Sequence, residues 1–341
     1  MDSFKIYTQG DIDLLISERV GEEKLGQHVY VYDCPNCAEG EIAIQALMDS
    51  PARYVLVGIP EDIGVRANLG IAGAKTAWNS ALKALLNIQS NLFLSGEEIL
   101  VLGHFEIEEP IDTSLQGLRK KVNTIDALVY PIIQKIVNAG KIPIVIGGGH
   151  NNAAPIIAGT SIGSGRQKIN VVNIDAHADL RDRAEGRHSG NGFSTALGSG
   201  YLNQYKIFGL HQNYINQSLP DYIAANQNIK AFYFEDLLQS PKSVSENWND
   251  FIADLQEPSG LEIDLDSIEK VLSSAQTSSG FQLNDIRNIL LCNRRNFAYL
   301  HVCEGATEMA DGKTDSTTGK TIAYLITDFI KALQPHISQK P

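Results

Sequence analysis

In the stretch INVVNIDAHADLR, residues 169–181, a mostly apolar run leads directly into three ionisable side chains. Such a run is typical of a strand that is buried on both faces. Asp175, His177 and Asp179 follow it at a spacing of two, and strand periodicity would place them on one face. The sequence therefore predicts two carboxylates and an imidazole close together at the end of a buried strand.

Runs of the same kind recur along the chain, separated by stretches with helical spacing of apolar residues. The eight predicted strands are 54–59, 99–103, 142–146, 169–174, 205–210, 230–234, 261–265 and 297–302. This alternation predicts a three-layer α/β/α fold with a parallel sheet of about eight strands. No repeat or linker divides the chain, so we expect a single domain over residues 1–341, with the less regular residues 1–50 packing on the sheet edge.

Composition narrows the class of partner. The 341 residues carry a net charge of -12, which argues against a nucleic acid or an anionic membrane surface as partner. The N-terminus lacks a signal-peptide pattern, and no apolar run approaches the roughly 20 residues of a membrane span. We therefore expect a cytoplasmic protein that acts on a small molecule.

The four cysteines do not form a disulfide scaffold in a chain of this length. Cys34 and Cys37 form a CPNC motif, but no second CxxC and no thioredoxin-like strand-to-helix pattern accompany it. We predict an incidental reduced pair in a turn.

Two further strand ends carry chemistry. The strand 142–146 leads into GGGH and delivers His150, and EIDLD at 262–266 places Asp264 and Asp266 at the end of another strand. In parallel sheets, ligands bind beyond the carboxyl ends of the strands. Three strand ends thus supply four aspartates and two histidines to one region.

Four buried carboxylates require compensating positive charge, since an unpaired buried charge costs several kcal/mol. Two divalent cations would balance them, and oxygen and imidazole ligands without thiolate suit Mn²⁺, with Ni²⁺, Co²⁺ or Zn²⁺ as alternatives. Such a pair activates water for hydrolysis. Each motif alone has a plainer interpretation: a solvated loop, an acidic edge strand or a tight turn.

These motifs resemble the ureohydrolase superfamily of arginases, agmatinases and formimidoylglutamases. The similar stretches are 58–74, 146–152, 173–181, 262–266 and 301–306. The resemblance implies the arginase-like fold with eight parallel strands and assembly into a homo-oligomer.

The resemblance also implies roles for individual residues. One Mn²⁺ would be bound by His150, Asp175, Asp179 and Asp264, and the second by Asp175, His177, Asp264 and Asp266. Asp179 would also orient the attacking hydroxide, and Glu304 would pair with the cationic C=N group of the substrate.

The chain departs from the family pattern at several positions. Glu262 replaces the family serine before the two aspartates, and His301 replaces an aspartate three residues before Glu304. The role of His301 stays open, because a histidine on an apolar strand is more often a core residue than a catalyst. Gly192 and Phe193 stand where arginases and agmatinases have a histidine, which favours a formimidoylglutamase.

The loop after the DxHxD motif supplies the remaining candidates. His188 is a candidate for proton delivery to the leaving group, with an exposed loop histidine as the alternative. A dicarboxylate substrate would need cationic or amide donors, although loop arginines are often only solvated. The candidate substrate-binding residues are Arg183, Arg187, Asn191, Gln212 and Asn213, with Arg66 as a further cationic candidate.

Three functions are consistent with the sequence. The first is hydrolysis of N-formimino-L-glutamate to L-glutamate and formamide. The second is a guanidino hydrolase of the arginase or agmatinase type, which releases urea. The third is a non-catalytic protein of the same fold that binds metal or a guanidino ligand.

Overall fold

The computed structural model of the chain describes residues 2–38 and 40–333. The strands are β1 (Ser3–Ile6), β2 (Tyr30–Val31), β3 (Tyr54–Gly58), β4 (Ile99–Glu106), β5 (Ile142–Ile146), β6 (Ile169–Ile174), β7 (Leu202–Leu210), β8 (Ile229–Tyr233), β9 (Ser259–Asp264) and β10 (Phe297–Cys303). The helices are α1 (Gln9–Asp13), α2 (Ile44–Asp49), α3 (Ile63–Ala67), α4 (Ala77–Leu86), α5 (Leu115–Asn138), α6 (Ala153–Gly163), α7 (Gly192–Gly198), α8 (Ser218–Ala225), α9 (Phe234–Gln239), α10 (Val244–Ile252), α11 (Leu283–Cys292) and α12 (Thr318–Ala332).

One twisted sheet contains all ten of these strands, in the order β1-β4-β3-β5-β10-β9-β6-β7-β8, with β2 also paired to β4. The eight strands from β4 to β8 in this order are mutually parallel and correspond to the eight predicted strands, so the predicted fold class is confirmed. The two additional strands come from the N-terminal segment. β1 pairs antiparallel with β4, and β2 contributes only two residues, which is too short to give a sequence signal.

Helices cover both faces of the sheet because each strand sends alternate side chains to opposite sides. On β3, Leu56 belongs to one hydrophobic cluster, whereas Val57 belongs to the other. The first cluster joins the sheet to α4, α10, α11 and α12, and the second joins it to α5, α6 and α7. The result is the three-layer arrangement, with the strand ends left open at one edge for a site.

The cysteine pair near the N-terminus differs from the prediction. Cys34 and Cys37 are joined by a disulfide in the loop after β2, with their Cα atoms 5.4 Å apart. The Cys37 amide donates to the Cys34 carbonyl, and this turn brings the two side chains within bonding reach. The predicted reduced pair is therefore wrong.

Among residues 2–38 and 40–333, no helix has both the length and the apolar character needed to cross a membrane.

Candidate metal centre

The predicted ligands and Glu304 follow four strands that are neighbours in the sheet: β5, β10, β9 and β6. His150 follows β5, Glu304 follows β10, and Asp264 is the last residue of β9. β5 and β6 are consecutive in the chain but lie apart in the sheet, with β10 and β9 between them. This break in strand order opens a crevice at the carboxyl ends, where ligands bind in such folds.

A glycine turn delivers His150 to the crevice. Gly147 and Gly148 have φ values of 84° and 80°, which other residues rarely adopt. A Cβ atom on Gly148 would also lie 2.8 Å from the Ile59 carbonyl oxygen. The buried Glu61 carboxylate accepts from the Gly149 amide at 2.9 Å and fixes the end of the turn.

The loop after β6 brings its ligands together by curling, not by strand alternation. β6 ends at Ile174, so the predicted strand face does not extend through the motif. Asp175 Oδ1 accepts from the His177 amide at 2.6 Å, and Asp179 adopts the left-handed conformation with φ 49°. The sequence correctly indicated a cluster but gave the wrong backbone conformation for it.

Three carboxylates surround one nitrogen of His150. His150 Nδ1 lies 3.0 Å from Asp179 Oδ2, 3.0 Å from Asp264 Oδ2 and 3.3 Å from Asp175 Oδ2. Possible ligand atoms of these four residues all lie within 4.8 Å of one another. All four belong to the ligand set implied for the first ion.

A second group shares Asp175 with the first. His177 Nδ1 lies 3.2 Å from Asp266 Oδ2 and 3.7 Å from Asp175 Oδ1. Asp264 adjoins this group, since its Oδ1 accepts from the Asp266 amide at 2.9 Å, but its carboxylate is grouped with His150. The structure thus brings all six predicted ligands together and makes Asp175 the residue common to both groups.

The electrostatics of these residues fit a site for cations. Burial raises the pKa of Asp264, and the neighbouring carboxylates of Asp266 and Asp175 raise it further. Burial opposes ionisation of Asp175, but the neighbouring imidazoles of His150 and His177 hold its pKa below the usual range. Carboxylate oxygens lie within 3.5 Å of both ring nitrogens of the buried His150, but none of them forms an aligned hydrogen bond with this ring in the described structure. A buried polar atom without a partner is costly, and a bound ion would supply the missing interaction.

A third group of possible ligands lies behind His150 and consists of His150, His301 and Cys303. Burial raises the pKa of the Cys303 thiol well above its usual value, so this sulfur stays protonated. His301 Nδ1 is 2.6 Å from Glu262 Oε2, and its Nε2 faces the Gly147 carbonyl. These atoms are therefore engaged within the protein, and this group is a poorer metal site than the two aspartate-rich groups.

Glu304 lies beside the ligands and faces the cavity. Its Oε1 accepts from the His150 amide at 2.8 Å, and its backbone adopts φ 62°. Burial raises the pKa of its carboxyl group to about 8. A cationic partner entering the cavity would stabilise the ionised form of this carboxyl group.

Four of the six candidate ligands, His177, Asp179, Asp264 and Asp266, line a cavity of about 1240 Å³. Arg183 lines this cavity, as predicted for a substrate-binding residue, and its guanidinium packs against Gly198. The sequence did not single out Arg181, Tyr214 or Asn216, which also line it. The tyrosine ring stacks on the His177 imidazole with centroids 4.8 Å apart. Tyr214 directly follows the predicted pair 212–213. The sequence therefore identified this loop but not the residues of the loop that point into the cavity.

Arg187 and Asn191 do not line the cavity, contrary to their predicted role in substrate binding. Arg187 is buried and donates from Nε to Asp126 Oδ2 at 2.7 Å and from Nη2 to the Asn151 carbonyl at 2.8 Å. The Asn191 amide accepts from Arg187 Nη1 at 2.7 Å and donates to the Gly186 carbonyl. Both side chains therefore hold the loop in place.

His188 also lies away from the cavity. Its side chain is fully buried, with Nε2 at 3.4 Å from Glu185 Oε2. Burial lowers the pKa of His188 to about 4, so its ring is neutral near pH 7. A buried neutral imidazole outside the cavity does not fit the predicted proton-delivery role.

The other predicted donors also point elsewhere. Gln212 and Asn213 are exposed but are not among the residues that line the cavity. Arg66 pairs with Asp62 at 3.1 Å and with Glu109 at 2.5 Å, which uses its guanidinium outside the site. Sequence position placed these residues in the correct loops, but their side-chain directions depend on tertiary contacts.

The departure at Gly192 has a steric cause. A Cβ atom on Gly192 would lie 2.6 Å from the His150 carbonyl oxygen, so this backbone leaves no room for a side chain. The next residue, Phe193, is buried, and its ring contacts the His150 imidazole edge-on at 5.0 Å. The side chain at position 193 therefore packs behind the ligands and offers no polar group to the substrate.

The parallel sheet brings carboxylates and imidazoles together at the carboxyl ends of adjacent strands. The chain is therefore an α/β protein with a candidate binuclear metal centre. The sequence model of the arginase family matches residues 52–328, and the chain belongs to this family.

Several relatives that this chain resembles are formimidoylglutamases. The enzyme from Hahella chejuensis is 30% identical over 181 residues, which cover 51% of this chain and 52% of that protein. The chain thus aligns with about half the length of this curated relative.

Two solved structures share the fold. A crystal structure of formiminoglutamase from Trypanosoma cruzi with Mn²⁺ has a TM-score of 0.67 and 18% identity, covering 86% of this chain and 100% of that one. The structure of formimidoylglutamase from Bacillus subtilis has a TM-score of 0.71 and 14% identity, covering 93% of both chains. At these identities the likeness extends to the fold alone.

Proposed function

We propose that this chain is a binuclear-metal hydrolase that cleaves the C–N bond of a linear amidine. Its proposed substrate is N-formimino-L-glutamate, which water converts to L-glutamate and formamide. The observation that carries the proposal is the pair of ligand groups that share Asp175 and lie beside a cavity of about 1240 Å³.

Six side chains would hold the two ions. The proposed ligands are His150, Asp175, Asp179 and Asp264 for one ion, and Asp175, His177, Asp264 and Asp266 for the other. An oxygen-rich set with two imidazoles suits Mn²⁺, and Ni²⁺, Co²⁺ or Zn²⁺ are chemically compatible. When bound, two such cations supply the positive charge that lowers the pKa of a water molecule to near neutrality.

The chain's own residues would position the reactants. The Asp179 carboxylate, at the border between its ligand group and the cavity, can accept a hydrogen bond from the attacking water and orient it. Glu304 also lines the cavity, and its carboxylate can pair with the N–H groups of a cationic formimino group. Such a pair orients the amidine carbon towards the water and favours a cationic C=N group over a neutral amide.

Two features favour formiminoglutamate over a guanidino substrate. Arg183 lines the cavity and can provide a cationic group for the carboxylates of a glutamate tail, whereas Arg181, which also lines it, is paired with Glu185 at 2.9 Å. Gly192 and Phe193 stand where arginases and agmatinases have a histidine. The close His150 carbonyl leaves no room for a side chain at position 192, and the Phe193 ring packs on His150. The similarity to formimidoylglutamases supports the same choice.

The test is a comparison of substrates with the Mn²⁺-loaded protein. N-formimino-L-glutamate, arginine and agmatine are incubated separately, and glutamate, formamide and urea are measured. We expect stoichiometric glutamate and formamide from the first substrate and no urea from the others.

Glu304→Gln is the matched control, because it preserves the shape of the side chain but removes its negative charge. We expect it to lose most of the activity while it retains the metal ions. Urea from arginine or agmatine would assign the chain to the guanidino hydrolases, and no turnover of any amidine would contradict the proposal.

A further inference from the structure

A buried polar network lies behind His150, on the side away from the cavity. Glu262, Tyr299 and His301 are completely or almost completely buried and lie on the adjacent strands β9 and β10. Glu262 and His301 are direct neighbours in the strand register, so their side chains project from the same face. Three polar side chains in the middle of a sheet require a specific reason, since buried polar groups are costly unless paired.

Each oxygen of the Glu262 carboxylate has a defined neighbour. The Tyr299 hydroxyl donates to Oε1 at 2.7 Å, and His301 Nδ1 lies 2.6 Å from Oε2. The other nitrogen of His301 lies 3.4 Å from the Gly147 carbonyl, in the turn that delivers His150. Glu262 is thus held by one neighbour on each oxygen, and the His301 ring links it to the turn that delivers His150.

The same carboxylate faces His150. Glu262 Oε2 lies 3.5 Å from His150 Nε2, whereas Nδ1 on the opposite edge of the ring points at the three aspartates. A histidine that binds a metal through one nitrogen usually presents the N–H of the other to a carboxylate or carbonyl, which fixes both tautomer and ring orientation.

We propose that Glu262 is a positioning residue that holds His150 with its proton on Nε2 and so leaves Nδ1 available to a metal ion. The Tyr299 hydroxyl and the His301 ring each contact one oxygen of Glu262 and so fix its carboxylate beside His150. This inference rests on the metal binding in the proposed function but is independent of the substrate.

The experiment separates positioning of His150 from the stability of the buried Glu262–His301 contact. Mn²⁺ affinity is measured by calorimetry on metal-free protein, and thermal unfolding is measured in parallel, for Glu262→Gln, His301→Gln and the double variant. Both single variants remove one partner of the buried Glu262–His301 contact, so both are expected to unfold at a lower temperature than the wild type. The double variant replaces both partners and should recover much of that loss.

Metal affinity is expected to follow a different pattern. Glu262→Gln and the double variant both lack the anionic acceptor, so their affinity for the ion bound through His150 should fall about 10–100-fold, as is usual for such partners. His301→Gln retains the acceptor and should remain within about threefold of the wild type. Ser259→Ala, in the same strand and equally buried, serves as the control and should leave the affinity unchanged.

Wild-type affinity in Glu262→Gln would overturn the positioning role, as would recovery of affinity together with stability in the double variant. A tenfold or greater loss in His301→Gln would also overturn it, and this result is accessible even if the variants at position 262 do not fold. If the wild-type protein bound no Mn²⁺, both this inference and the proposed function would fail. If it bound Mn²⁺ and only the pattern among the variants differed, this inference alone would fail.

Discussion

Replacement of Gly192 by alanine tests the steric explanation for the missing histidine. The added Cβ atom would lie 2.6 Å from the His150 carbonyl oxygen, whereas ordinary contacts begin near 3.4 Å. About 0.8 Å of overlap must therefore be relieved against backbone that cannot rotate away. Overpacking of this kind costs about 1–3 kcal/mol, and the higher helix propensity of alanine offsets up to about 1 kcal/mol.

We expect Gly192→Ala to lower the free energy of unfolding by about 1–2 kcal/mol, measured by urea denaturation of the metal-free protein. Gly10→Ala is the matched control, because position 10 is also near the start of a helix and the nearest atom to its added Cβ is 3.7 Å away. That variant should be neutral or slightly stabilised. An unchanged or raised stability of Gly192→Ala would refute the steric explanation, because it would show that this turn accommodates a side chain.

Four further predictions concern individual side chains. Asp175→Asn should reduce the Mn²⁺ content measured by elemental analysis from two ions per chain to fewer than one, with an unchanged circular dichroism spectrum; two retained ions would contradict the shared role. Arg183→Ala should raise the KM for N-formimino-L-glutamate about tenfold or more with little change in kcat, as expected for a group that binds substrate and transition state equally; an unchanged KM would exclude Arg183 from the tail site. Arg187→Met leaves the partly buried Asp126 without its partner and should cost about 3 kcal/mol of stability in urea denaturation; a loss below about 1 kcal/mol would argue against a structural role for this pair. The pKa of His188 is lowered from 6.5 to about 4, so the unfolded chain takes up this proton first and stability falls as the pH drops from 6.5 to 4. His188→Gln should therefore lose less stability than the wild type over that interval, and equal losses would contradict the pKa shift.

The sequence predicted the fold well because its signal is local. Each of the eight parallel strands is a short apolar run, and each run can be recognised without knowledge of its neighbours. The strand order could not be read in this way, because β5 and β6 are separated in the sheet by two strands from later in the chain. β1 and β2 were missed because strands of four and two residues give no periodic signal.

The candidate site was predictable to the extent that strand ends determine it. The rule that ligands bind beyond the carboxyl ends of parallel strands led to His150 and to both aspartate motifs. The loop residues were not predictable, because their side-chain directions depend on distant partners. Arg187 is fixed by Asp126, which lies 61 positions earlier in the chain, and nothing local distinguishes it from Arg183, which does face the cavity.

The relation between Glu262 and His301 shows the same limit. Both residues were recognised as departures from the family pattern, but their contact follows from the pairing of β9 with β10. Only the register of these two strands shows that the two departures form one buried pair beside His150.

Anomalous diffraction from crystals of the Mn²⁺-loaded protein would locate the metal ions. We expect two peaks roughly 3.5–4 Å apart, one beside His150 Nδ1 and the other beside His177 Nδ1, with Asp175 in contact with both. A single peak, or a peak bound by His301 and Cys303, would contradict a binuclear centre built on the aspartates.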